Sequence, residues 1–101
     1  MHFKLNSILV PVTTIHSNLP DVKPLQLVKI YGMSKTGYQI ISENGKTTSM
    51  DFQMAHMLYQ TLDLLEFELI NAITKKNCQT IKESLIYLRL KKQHIENMRE
   101  E

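Results

Sequence analysis

The residues of this chain that could do chemistry are four histidines, one cysteine and a short acidic cluster, and their spacing frames no reaction. His2, His16, His56 and His94 are scattered, with neither a His-x-x-x-His nor a Cys-x-x-Cys pair, so a zinc site has no basis in spacing. His56 stands among Met54, Ala55, Met57 and Leu58, and His94 follows Ile86 and Leu90 at steps of four; both read as packing or interface histidines. Cys78 is alone, which rules out an intramolecular disulfide and suits a reducing compartment. Its place at a break between helices puts it near a helix N-terminus, yet no catalytic partner accompanies it. Asp63 and Glu66, three apart, share a helical surface while Glu68 points elsewhere. Paired carboxylates suit Mg²⁺ or acid–base work, but a solvated acidic face accounts for them more simply. Gly32, Gly37 and Gly45 belong to hairpins, and the Walker, dinucleotide and G-x-S-x-G patterns are missing. The expectation is a non-enzyme, with no catalytic residue, no cofactor and no metal.

Binding is better supported than catalysis. Between Asp51 and Thr74 the chain carries four acids and no lysine or arginine. Beyond that point Lys75, Lys76, Lys82, Arg89, Lys91, Lys92 and Arg99 face only Glu83 and Glu96 before the end segment. Two neighbouring helices of opposite sign attract, and surplus positive charge on the second can meet phosphate. Arg89, Lys91 and Lys92 lie close together, with Tyr87 near enough to stack on a base. Met54 and Met57 sit in a methionine-rich stretch, and methionine repacks easily against varied partners. The candidate partner-binding residues are therefore Met54, Met57, Tyr59, Tyr87, Arg89, Lys91 and Lys92.

The elements that position these residues follow from punctuation. All three prolines and all three glycines lie at or before Gly45. Both residue types weaken helix interiors and mark turns, so residues 1–49 read as strands and 50–101 as helix, within one domain. Residues 3–15 are rich in β-branched side chains, with Pro11 marking an edge or a bulge; residues 17–24 read as a connection. Strands are predicted over residues 26–33, 38–42 and 46–49. Ser34-Lys35-Thr36-Gly37 makes one turn, and Asn44-Gly45 a two-residue type I′ turn. This antiparallel β-meander suits a curled sheet or a small SH3-like barrel.

Residues 51–76 are predicted as one helix, capped by Ser49 or Asp51. Its apolar stripe is Met54, Leu58, Leu62, Leu65, Leu69 and Ile73. Phe52, Ala55, Tyr59, Leu64 and Phe67 widen it beyond what one packing partner hides. Thr80 and Glu83 match a capping box for a second helix to about residue 99, with Ile81, Leu85, Leu88 and Ile95 as its seam. The fold class is thus α+β, a meander followed by an antiparallel two-helix hairpin, with a single helix bent at Asn77 as the rival.

The excess apolar width predicts a partner: a larger protein, or a second copy forming a homodimer in which helices bundle. A net charge of +2 is too small to argue for nucleic acid by itself; a module using the basic helix is the alternative. The opening Met1-His2-Phe3-Lys4 is not a secretory signal pattern and no apolar run approaches membrane-spanning length, so a cytoplasmic protein with no membrane partner is expected. Lysine outnumbers arginine ten to two and tryptophan is absent, a bias that accompanies AT-rich bacterial or phage coding. In size and composition the chain looks like the small accessory proteins of phages and mobile elements, many of which block a host protein such as a defence nuclease. A small protein-binding regulator or inhibitor is the function expected.

Overall fold

A computed structural model describes residues 2–12 and 22–98. The elements run β1 (Ile8–Pro11), β2 (Val28–Met33), β3 (Gly37–Ser42), β4 (Thr47–Asp51), α1 (Phe52–Leu58), β5 (Tyr59–Thr61), α2 (Leu62–Asn71) and α3 (Cys78–Glu96). The strands form one antiparallel sheet in the order β4-β3-β2-β1-β5, so the architecture is α+β. The sheet is open, with β4 and β5 as its edges, and the closed barrel considered from sequence is not what the strand pairing gives. Predicted features at residues 13–21 and 99, including His16 and most of the connection, lie outside the described residues.

Side-chain alternation divides the core between the two faces of the sheet. Ile8 and Val10 of β1 point to one face, where Leu62, Leu65 and Leu69 of α2 and Ile81, Leu88 and Ile95 of α3 cover them. Leu9, Val28, Ile30, Tyr38 and Ile40 point to the other, under Ala55 of α1, with Phe3, Phe52 and Tyr59 packed around them. Among the described residues no helix is long and apolar enough to cross a membrane.

Four sequence expectations are corrected. The helix predicted over residues 51–76 is divided: Tyr59, Gln60 and Thr61 are extended and pair with Pro11, Val10 and Leu9. Tyr and Thr suit strands, β1 needs a second neighbour, and the Thr61 hydroxyl accepts from Leu64 N–H to start α2 afresh. Among the described residues there are therefore three helices, not two. Second, the chain leaves the helix at Ala72 instead of bending through Asn77. The Asn77 side chain donates to Ala72 C=O at 3.0 Å and accepts from Thr74 N–H at 2.6 Å, stapling the turn. Third, the Thr80–Glu83 capping box does not form: α3 begins earlier, at Cys78, and Glu83 accepts from Gln79 within the helix. Fourth, the β3–β4 connection has three residues. Gly45 N–H donates to Ser42 C=O, only Gly45 has positive φ (+87°), and Asn44 Oδ1 accepts from Lys46 N–H and Ser42 Oγ. That is a type I turn closed by a left-handed glycine, not a type I′ turn. Pro11, read as an edge marker, ends a strand paired on both sides; it sits where pairing with β2 has stopped.

Candidate docking surfaces

The free edge of β4 is built by hydrogen-bond parity. Ser42 N–H donates to Lys46 C=O at 2.9 Å, and Phe52 N–H to Thr36 C=O at 3.3 Å. In an antiparallel ladder bonded pairs alternate with unbonded ones. The Lys46 carbonyl and the backbone groups of Thr48 and Met50 are therefore spent on β3, while Thr47, Ser49 and Asp51 direct theirs away from the sheet. Thr47, Thr48 and Ser49 are exposed, and no proline, lysine or bulge guards the strand between Lys46 and Asp51. Such an edge is a template for another strand. β5, the opposite edge, has three residues and is cut short by α2.

Where β4 ends an apolar groove begins. The Asp51 carboxylate accepts from Met54 N–H at 2.7 Å and caps α1. Asp51, Gln53, Met54, Met57 and Leu58 line a groove of about 260 Å³. Met54 is 50% exposed and Met57 70%, on the side of α1 away from Ala55. The helix itself is firmly seated. Tyr38, buried in the sheet, has its hydroxyl 2.9 Å from His56 Nε2 and accepts from Phe3 N–H at 2.7 Å. Phe3 stacks on His56 and His2 on Phe52, each at 4.1 Å between ring centres. His56 thus fastens α1 and the N-terminal segment to the sheet.

The predicted binding residues do not form one site. Met54 and Met57 share the groove, whereas Tyr59 is half-buried against the core beneath α1. Tyr87 packs on the other core cluster, its hydroxyl 3.5 Å from Lys23 C=O. Lys91 faces inward: its ammonium lies 3.2 Å from Glu43 Oε1, donates to Leu25 C=O and sits 5.4 Å from the centre of the Tyr87 ring. Lys92 contacts Asp63 at 4.0 Å and Glu96 at 3.9 Å. Arg89 is exposed and, like Lys82, makes no ion pair or hydrogen bond among the described residues. Cys78, half-buried, is the first residue of α3.

A second apolar surface lies on the helices that cover the other sheet face. α2 buries Leu62, Leu65 and Leu69 but exposes Leu64, Phe67 and Ile70; α3 buries Ile81, Leu88 and Ile95 but exposes Ile86 and Leu90. Leu64 and Phe67, which widen the stripe predicted from sequence, are left exposed by both the sheet and α3. At 100° per residue they project nearly opposite the buried row, out of reach of both. The outward groups of β4, unpaired among the described residues, left no mark in composition; the ladder parity reveals them. Compared with known protein families, curated proteins and solved structures, the chain shows no match.

Proposed function

We propose that this chain is a non-enzymatic protein-binding regulator that takes an extended segment of a larger partner onto the free edge of β4. An apolar side chain of that segment would enter the Met54–Met57 groove. One observation carries the reading: outward backbone groups of Thr47, Ser49 and Asp51 run directly into an exposed methionine groove, through a residue that belongs to both. In strand addition the main chain supplies affinity and adjoining pockets supply specificity. Methionine lets such a pocket conform to its occupant.

We also read the frame as an opened relative of the SH3-like barrel. The support is its strand order and α1, which carries the chain from one sheet edge to the other. α2 and α3 read as an antiparallel pair, because Lys92 near the end of α3 meets Asp63 at the start of α2. A nucleic-acid contact through α3 has thinner support, since Lys91 and Lys92 both have partners within the chain. Its signature would be binding that weakens steeply with salt.

Parallel affinity capture with three baits tests the proposal: the natural chain, Ser49→Pro and Met57→Asp. Ser49 N–H points away from β3, so proline there removes a docking donor without breaking a ladder bond. A direct partner should be recovered by the natural chain and lost by both variants while their circular dichroism is retained. Undiminished recovery with Ser49→Pro rejects strand addition.

A further inference from the structure

We propose that the outward faces of α2 and α3 bind a second copy of this chain, two α2–α3 layers stacking about a two-fold axis between their sheets. This surface is distinct from the β4 edge and lies on the opposite sheet face, so the inference does not rest on the proposed function.

The face exists because α2 has two apolar sides. Phe67, 61% exposed, projects nearly opposite the buried row of Leu62, Leu65 and Leu69, with Leu64 and Ile70 three residues to either side. Ile86 and Leu90 form the matching outward pair on α3. The Lys92–Asp63 contact fixes the relative level of the helices. Counting two turns inward from each end of that contact brings Ile70 level with Leu85 and Ile86, so the two apolar sides adjoin. A stable dimer buries roughly 800 Å² per partner. At ~1.5 Å per residue α2 is ~15 Å long and α3 ~28 Å, each ~10 Å wide, so their flat footprint is ~430 Å² per copy and the relief of the protruding side chains must supply the rest.

Charge selects the occupant. α2 carries Asp63, Glu66 and Glu68 and no basic residue. α3 exposes Lys82 and Arg89 on the margin of its outward face, without partners among the described residues, while the one acid on that face, Glu83, is engaged by Gln79 at 3.2 Å. Within one chain the two helices exchange only the long Lys92–Asp63 contact among the described residues. Laying α2 on the α2 of another copy would oppose acid to acid. Laying α2 across the partner's α3 opposes acid to base, and the two-fold axis repeats that contact, making the surface self-complementary. The product is a four-helix layer.

Sedimentation equilibrium of the full chain tests this across the micromolar range. The expected mass is twice the 11.8 kDa of one chain. Phe67→Asp and Ile86→Asp should each weaken association by about tenfold or more, through burial of an unpaired charge, with circular dichroism unchanged. Arg89→Glu should weaken it too, and added salt should lessen that difference. A single-chain mass throughout overturns the proposal, as does a dimer that survives Phe67→Asp combined with Ile86→Asp. Ser49→Pro should leave the dimer intact, so loss of capture by that variant and loss of association report separately on the two surfaces.

Discussion

Lys91 and Lys92 are neighbours in sequence, and replacing each by alanine should give opposite results. The Lys91 ammonium is held 3.2 Å from Glu43 Oε1, with the two side chains only 14% and 19% exposed. The same Glu43 oxygen accepts from Leu27 N–H at 2.7 Å, and Leu25 C=O accepts from Lys91. Lys91→Ala would strand a carboxylate largely out of water with one neutral donor. Breaking a fully buried pair in this way costs ~3–5 kcal/mol, and the remaining exposure brings the figure to about 2–4. For a domain of this size the unfolding midpoint should fall by about 10–20 °C. Lys92, 36% exposed, stands 4.0 Å from an Asp63 that is 86% exposed. Screening reduces the worth of that pair to about 0–0.5 kcal/mol. Urea unfolding followed by circular dichroism measures both, and Lys91→Met with Glu43→Gln should recover most of the loss by removing both charges together. If Lys91→Ala costs no more than Lys92→Ala, the inward tie between α3 and the β3–β4 turn is wrong and Lys91 returns to the list of exposed binding residues.

Two further expectations follow from the sheet. Tyr38→Phe deletes the acceptor of Phe3 N–H and the partner of His56 while keeping the ring. It should cost about 1–3 kcal/mol in thermal unfolding and free the N-terminal segment to faster amide exchange. Gly37→Ala would drive a Cβ into Met50 C=O and to 2.7 Å from Asp51 Cα, both backbone atoms, forcing β3 and β4 apart. It should cost about 2 kcal/mol or more. Gly45→Ala meets only Met98 Cε, at an ordinary 3.9 Å, with a left-handed φ to oppose it, and should cost about 1 kcal/mol; the reverse order would contradict the β3–β4 pairing.

What was legible in the sequence was local. Turn residues located the meander because glycine, asparagine and serine act within a few positions of themselves, and Asp51 could be read as a cap for the same reason. Residues 59–61 could not be read this way. Their stripe continues a helical period, and what overrides it is β1, some fifty residues earlier in the chain. Lys91 illustrates the same limit from another side. On a helical wheel it is a cation in a basic cluster, and only the tertiary position of Glu43 turns it inward. Periodicity did detect that the apolar surface exceeded one packing face. It could not say which residues would be left outside, since Leu64 and Phe67 differ from Leu65 and Leu69 only in the angle at which α2 meets the sheet.

That angle also decides whether the two docking surfaces compete. α2 and α3 cover the sheet face to which Ile8 and Val10 point, while α1 covers the face of Leu9 and Tyr38. β4 lies at one edge of the sheet; α2 follows β5 at the other, with three strands between. A second copy stacked on the helices would thus leave each β4 edge and each methionine groove uncovered. A two-fold dimer would then be bivalent, and a partner presenting two extended segments would engage the second one intramolecularly. Linked sites of this kind exceed either affinity by roughly 10²–10⁴ when the spacing is met. Phe67→Asp should therefore lower capture of a multimeric partner far more than capture of a single extended peptide. Equal losses for both would show that the helical face contacts the partner directly and that the two surfaces are one.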